Sequence, residues 1–323
     1  MRAFLLAAGR GERFRPVTES IAKPLLPFLN VPLACAHLER LRRAGVREAG
    51  VNLHHLGDQV EGYLREHARE LPELQFFWEP RLLGTAGALR NAARFLESEP
   101  FLVVNADAAI AFDPAALLAR HRHAGNAATL LVVENRDPQR YTPLQAEGDR
   151  IARFGGESPS PLLYTGVCVL SPDLLRKIPP GEASLVADLW VPMLAEGRRI
   201  GWVRHEGGFA DLGRPRDFLR ATLEALAGGF PFPPGAGVFD PTRRVLSLGA
   251  AAAIEAATSV LGRIRARGAS RVTDTAVWDG VEIGAGATLT RCVAAGGIIP
   301  AGAAHEDVLL WGRPGQPAAA LPL

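Results

Sequence analysis

Ala3-Phe-Leu-Leu-Ala7 runs straight into Ala8-Gly-Arg-Gly-Glu-Arg-Phe-Arg-Pro16. A short uncharged apolar run predicts a strand buried on both faces, and the two glycines after it predict a tight turn at its C-terminal end. Such a strand needs strands beside it and helices over it, and the sequence downstream supplies both. Val46–Leu53, Leu74–Trp78, Phe101–Asn105 and Ala127–Val133 read as further strands, and Pro32–Ala44, Asp58–Glu70, Ala86–Glu97 and Pro114–His123 read as helices. In the second helix Val60, Leu64 and Leu71 share a face while Glu61, Arg65 and Glu66 point away. This alternation predicts an α/β fold with a Rossmann-like, mainly parallel sheet. Ligands of such sheets bind beyond the C-terminal strand ends, so the residues just after each strand are where chemistry is expected.

Composition narrows the classes. With 323 residues, 48% apolar and 22% charged, the chain is neither disordered nor fibrous. A net charge of +2 without a dense basic stripe argues against nucleic-acid binding. All but two of the 36 basic residues are arginine, the exceptions being Lys23 and Lys177, so a single arginine carries little information. Cys35, Cys168 and Cys292 are far apart and form no Cys-x-x-Cys, which argues against a disulfide scaffold or zinc site and fits the reducing cytoplasm. Phe4–Ala8 is too short for a signal-peptide core, and no apolar run reaches the ~18 residues of a membrane span.

The pattern changes near Gly228, where Gly-Gly-Phe-Pro-Phe-Pro-Pro-Gly-Ala-Gly-Val-Phe-Asp-Pro241 reads as a linker. Two domains follow, residues 1–230 and 231–323. In the second, apolar residues recur every six, at Ile254, Val260, Ala266 and Val272, and after a five-residue step at Val277, Ile283, Leu289 and Ala295. Ile283-Gly-Ala-Gly-Ala-Thr288 is the clearest copy. That period predicts three short strands per turn of a parallel β-helix, taken as left-handed. The tail holds no acid–base pair, His305 having no clear partner, so it is expected to serve assembly rather than chemistry.

The residues able to carry chemistry cluster after the first strand. Gly9 and Gly11 admit close approach of a phosphate to backbone N–H groups, and Arg13 adds a planar cation. The spacing is neither the dinucleotide fingerprint, since residue 14 is Phe, nor a Walker loop. Taken alone it is a plain turn as readily as a phosphate site. Thr18, Lys23, Pro24 and Pro27 extend it, and the whole pattern G-x-G-x-R-x-x-P-x-T-x₄-K-P-L resembles the signature of the sugar-1-phosphate nucleotidyltransferases. The resemblance continues in order through Leu83-Gly-Thr-Ala-Gly-Ala-Leu89, Val103-Val-Asn-Ala-Asp107, Tyr164-Thr-Gly-Val167 and Phe209-Ala-Asp-Leu-Gly-Arg-Pro215, over roughly residues 1–227. Ala106 stands where the family usually has Gly.

The resemblance implies transfer of a nucleotidyl group from an NTP to a sugar 1-phosphate, with Mg²⁺. It implies nucleotide contacts from Leu6, Ala8, Gly9, Gly11, Arg13, Glu79, Gly84 and Thr85, and sugar contacts from Glu157 and Gly166. Arg13, Lys23 and Asp107 are the implied catalytic residues, and Asp107 and Asp211 the implied metal ligands. Physical chemistry agrees: charge builds on phosphate oxygens during the transfer, so cations and carboxylate-bound metal are the natural catalysts. Taken singly, either aspartate is also an ordinary cap or turn residue. One family motif is absent: Arg153-Phe-Gly-Gly-Glu-Ser-Pro-Ser-Pro161 lacks the lysine of the usual Glu-Lys-Pro. Leu83–Leu89 and the repeat tail lean toward mannose 1-phosphate and GTP. N-acetylmuramate 1-phosphate with UTP, heptose or glucose 1-phosphate, and a non-catalytic nucleotide-sugar-sensing subunit stay open. A homo-oligomer built through the tail is expected, with no nucleic-acid or membrane partner. His121 and His123 are expected to be solvated on their helix.

Overall fold

The computed structural model describes residues 1–157, 161–249 and 253–323. Two compact units emerge, each assembled from separate stretches of chain: Met1–Arg10 with His37–Ala108 and Phe112–Gly207, and Gly11–Ala36 with Ala109–Ala111 and Gly208–Leu323. The division at residue 230 marks where the sequence pattern changes; the chain also passes between the units at Arg10–Gly11.

The first unit is built on a nine-stranded sheet in the order Glu73–Trp78, Glu48–Leu53, Arg2–Leu6, Phe101–Asn105, Leu162–Leu170, Ala128–Glu134, Ile200–Arg204, Arg150–Phe154, Leu144–Glu147. Arg2–Leu6 runs parallel to both neighbours, with Leu5 opposite Val51 and Leu6 opposite Asn105. The mainly parallel sheet of the sequence reading is corrected to a mixed one. Leu162–Leu170 is antiparallel to the strands on both sides, and Leu144–Glu147 and Arg150–Phe154 form an antiparallel hairpin. A strand covered on both faces is apolar throughout whichever way its neighbour runs, so the run Leu162–Leu170 carries no signal of direction.

The helices lie close to their expected places at Leu33–Arg43, Gly57–Glu66 and Pro114–Ala124. The last is capped by Asp113, whose side chain accepts from Ala115 and Ala116 N–H at 2.9 and 3.0 Å. The helix expected over Ala86–Glu97 starts earlier and breaks at Ala92, giving Gly84–Asn91 and Ala93–Leu96. His121 is a correction: it is buried, with Nδ1 3.0 Å from Thr129 Oγ1 and Nε2 3.2 Å from Ser171 Oγ. His123 is exposed as expected.

In the second unit the chain from Ile254 visits three stacks of parallel strands in rotation. Ile254–Ala257, Ser259–Leu261 and Arg265–Ala266 are followed by Ser270–Thr273, Ala276–Val277 and Glu282–Ile283, and then by Thr288–Thr290, Val293–Ala294 and Ile298–Ile299. Ile254, Val272, Val277, Ile283, Leu289 and Ile299 fill the interior of this three-sided coil. The repeat is shifted by one residue at two places: Leu261 and Ala294 point inward, while Val260 and Ala295 belong to a separate core outside the coil. That outer core joins Phe14, Val17, Leu26 and Phe28 to Phe218 of the helix Pro215–Leu226 and to Trp278 of the coil. The Gly/Pro-rich segment is no loose linker, because Phe230 and Ala236 are buried in the same core and Phe232 packs edge-on to Phe239 at 4.9 Å. Its aromatic side chains outweigh the turn-forming residues around them.

Candidate functional site

In the first unit, the end of strand Arg2–Leu6 is held by one chain of hydrogen bonds. Ala106 N–H donates to Leu6 O at 3.0 Å, and Ala7 N–H donates to Asn52 Oδ1 at 2.7 Å. Asn52 Nδ2 donates in turn to Glu79 Oε1 at 2.8 Å, and Leu83 N–H donates to Glu79 Oε2 at 3.0 Å. His54 Nδ1 donates to the Glu79 carbonyl at 2.9 Å. Glu79 is 2% exposed, so both carboxylate oxygens are spent on ordering the protein. The effect is to tie Leu6, Ala7 and Ala8 to the segment that carries Gly84 and Thr85. Gly9 is exposed, and a Cβ on it would meet nothing, which leaves its backbone open to a ligand.

The Gly-Thr-Ala-Gly motif opens a helix rather than forming a loop. Gly84 takes φ +70°, and a side chain there would strike Ala183 O at 2.5 Å. Ala86 and Gly87 N–H donate to that carbonyl at 2.8 and 3.2 Å, and Thr85 Oγ1 accepts from Leu185 N–H at 2.9 Å. The motif is therefore docked on residues 183–185 before any ligand arrives.

Asn105 ends its strand and Asp107 follows, half-buried. His37 Nε2 donates to Ala108 O at 2.8 Å and fixes the backbone just beyond Asp107. Complete burial pushes the His37 pKa down to about 4, so the ring is neutral near pH 7. Gly166 lies at φ +85°, where the strand register shifts between Tyr164 and Cys168, and a Cβ on it would lie 2.8 Å from Asn105 Cβ. Asp107 and Gly166 are thereby linked through Asn105. Glu157 is exposed, and its carbonyl accepts from Gln145 Nε2 at 3.0 Å. Residues 158–160 of the segment that lacks the family's lysine lie outside the described residues.

The second unit gathers the rest. Gly11 takes φ +64°; its carbonyl accepts from Phe14 N–H at 2.9 Å and from Thr18 Oγ1 at 2.8 Å. A Cβ on Gly11 would lie 3.2 Å from Lys23 Cβ, so Lys23, only 6% exposed, packs directly beneath the turn. Arg13 Nη2 is 3.6 Å from Asp211 Oδ2, and the buried Gly213 leaves room for that guanidinium. The turn thus carries the stem of Lys23 beneath it and Arg13, paired with a carboxylate, beside it. This constellation suits polyphosphate: N–H groups and cations to hold it, and a carboxylate oxygen for a hard metal. Among the described residues no group of three or more His, Cys, Asp or Glu gathers to hold a metal. Isolated carboxylates fit Mg²⁺, which takes one or two from protein and completes its shell with water and phosphate oxygens.

A family model for nucleotidyl transferase matches residues 2–228. The chain belongs to the nucleotidyl transferase family. The resemblance to sugar-1-phosphate nucleotidyltransferases read from its motifs stands with that membership. It is 32% identical over 228 residues to mannose-1-phosphate guanyltransferase beta-B of Xenopus laevis, covering 68% of this chain and 63% of that protein. It is also 32% identical over 228 residues to the mannose-1-phosphate guanylyltransferase catalytic subunit beta of Danio rerio, with the same coverage. The chain therefore spans less than two thirds of these relatives. Among solved structures, HddC from Yersinia pseudotuberculosis superposes with a TM-score of 0.59 at 23% identity, covering 68% of this chain and 97% of that one, which is a likeness of fold.

Asn52, His37 and Gly213 were not legible as site residues. Each acts through a residue distant in sequence, and a lone Asn, His or Gly carries no motif. The one available signal was Asn52, a polar side chain in the otherwise apolar stretch Ala49–Leu53.

Proposed function

We propose that this protein transfers a guanylyl group from GTP to mannose 1-phosphate, giving GDP-mannose and pyrophosphate. The observation that carries the reading is the gathering of Arg13, Lys23 and Asp211 around the Gly11 turn in a chain of this family. In the transfer, an oxygen of the sugar phosphate attacks the α-phosphorus, a new P–O bond forms, and the bond to the bridging oxygen breaks as pyrophosphate leaves. Negative charge grows on the bridging oxygen and the equatorial oxygens. Gly9, Gly11 and Arg13 hold the triphosphate; Lys23, held tightly under the turn, places a compact ammonium against that charge. Leu6, Ala8, Gly84 and Thr85 form the nucleoside side, with Glu79 as the brace that sets their spacing. Gly166 faces the sugar, and Glu157 supplies a hydroxyl contact. Asp107 and Asp211 are the proposed Mg²⁺ ligands; bound Mg²⁺ would neutralise phosphate charge.

The preference for guanine and mannose rests on the names of the relatives. Residues 1–230 are proposed as the catalytic region and 231–323 as a left-handed β-helix through which copies assemble. No helix among the described residues is long and apolar enough to cross a membrane. Three free cysteines accord with the proposed cytoplasmic setting. A matrix of the common NTPs against mannose, glucose, heptose and N-acetylmuramate 1-phosphates tests the assignment. GDP-mannose is expected as the fastest product. A faster uridylyl or thymidylyl product would overturn the specificity.

A further inference from the structure

Phe14 directly follows Arg13 in a single turn of 3₁₀ helix, Glu12–Phe14, and its side chain is fully buried. Its ring stacks on Trp278 with centroids 6.2 Å apart and an interplanar angle of 26°. Phe218 meets both rings edge-on, at 5.9 Å from Phe14 and 5.5 Å from Trp278. Trp278 leaves the coil strand Ala276–Val277 on its outer side, opposite to Val277, which fills the coil interior. An outward position on a coil is normally solvated, yet Val260, Ala276, Trp278, Val293 and Leu309 form an apolar stripe that is wholly covered. It shares one buried core with the helix Pro215–Leu226 and with Phe14, Val17 and Leu26 of the segment that carries Arg13 and Lys23. A second tie runs beside it: Asn30 Nδ2 donates to Ala236 O at 3.0 Å and Leu261 O at 3.2 Å.

We infer that Trp278 is a positioning residue: the C-terminal coil is the wall against which Phe14, and through it Arg13, is held in place for phosphate. This deepens the proposed function and rests on it for the role of Arg13. It also replaces the expectation that the tail stands apart from the chemistry. Arg13 immediately precedes Phe14 in this single turn, so pinning Phe14 acts together with the Asp211 ion pair in setting where the Arg13 side chain points. The aromatic face, not the indole N–H, does the pinning, since Trp278 Nε1 is buried and donates to no group among the described residues.

The test uses the full-length chain and three variants. Trp278→Leu is expected to raise amide exchange in peptides spanning residues 11–25 and to raise the KM for GTP by about tenfold or more, as small misplacements of binding groups do. Trp278→Phe keeps an aromatic face and is expected to restore both. Val277→Ala opens a cavity inside the coil while leaving the Phe14 contact intact, so it is expected to lower stability without changing either readout. The inference is overturned if Trp278→Leu leaves exchange at residues 11–25 unchanged, or if Val277→Ala produces the same changes. Exchange is read without turnover, so an inactive wild-type protein would defeat the proposed function and still leave this result decisive.

Discussion

Gly213→Ala separates the chemistry of the Arg13 turn from the stability of the fold. Gly213 has no positive φ, so alanine fits its backbone, and the loss of glycine's freedom in the unfolded chain contributes ~0.4–1 kcal/mol in favour of folding. The new methyl would press on Arg13 Nη2, lying 2.8 Å from its Cζ and 3.0 Å from Asp211 Oδ1. The Arg13 side chain is 49% exposed, so it can swing away rather than push the backbone. What it gives up is an ion pair at 3.6 Å with a partner 18% exposed, worth ~0–1 kcal/mol. These terms nearly cancel, and stability should stay within about 1 kcal/mol of the parent. The rate should not. Displacing one preorganised donor from a charge-building transition state costs about 100- to 1,000-fold, or ~2.7–4 kcal/mol. Thermal unfolding and pyrophosphate release on the same preparation measure the two effects side by side. In an Arg13→Ala background the added methyl should have a smaller effect on rate, leaving only its approach to Asp211 Oδ1 at 3.0 Å. A kcat/KM within about threefold of wild type, ~0.65 kcal/mol of barrier, would refute the placing of Arg13 at the phosphates. A stability loss of several kcal/mol would refute the view that Arg13 is free to move.

Asp107→Ala and Asp211→Ala should each lower turnover by about 100-fold or more with little change in fold; near-normal Mg²⁺-dependent activity in either removes that residue from the metal assignment. Lys23→Arg should be poorly tolerated although the chain otherwise uses arginine almost everywhere, because a larger planar fork does not reproduce a compact ammonium; a kcat within about threefold of wild type would make Lys23 merely structural. Burial lowers the pKa of His37 and His121 to about 4, so between roughly pH 6.5 and 4 the unfolded chain binds protons that the folded chain refuses, and stability falls as pH drops through that window by up to ~3 kcal/mol per residue. Urea midpoints at pH 7 and 4.5 should show this fall, and His121→Gln should reduce it; an unchanged pH slope in the variant would exclude His121 as a contributor.

How far the fold was legible depended on whether a feature was local. Phe101–Asn105 lay where its apolar run put it, because a buried strand needs only its own residues to announce itself. The hairpin Leu144–Phe154 and the antiparallel direction of Leu162–Leu170 depend on partners remote in sequence, and apolar content alone does not encode them. The six-residue repeat marked the coil but missed which of two adjacent apolar residues points inward. Val260 and Leu261 are equally apolar; only the second core outside the coil distinguishes them. His121 looked solvated because its neighbours Arg120, Arg122 and His123 are polar, while its own side chain turns inward to Thr129 and Ser171. The candidate site was legible where the chemistry demands a residue type at a fixed spacing, as with Gly11, Arg13 and Lys23. Asn52 and Gly213 escaped because their roles exist only once distant segments meet.

The most direct measurement is pyrophosphate release from GTP and mannose 1-phosphate by the wild-type protein, with Mg²⁺ and then with the metal chelated. Sustained release that requires both substrates, yields GDP-mannose in equal amount and stops on chelation is the predicted result. Binding of GTP with no pyrophosphate released for any sugar 1-phosphate would contradict the account and leave a nucleotide-sensing protein in its place.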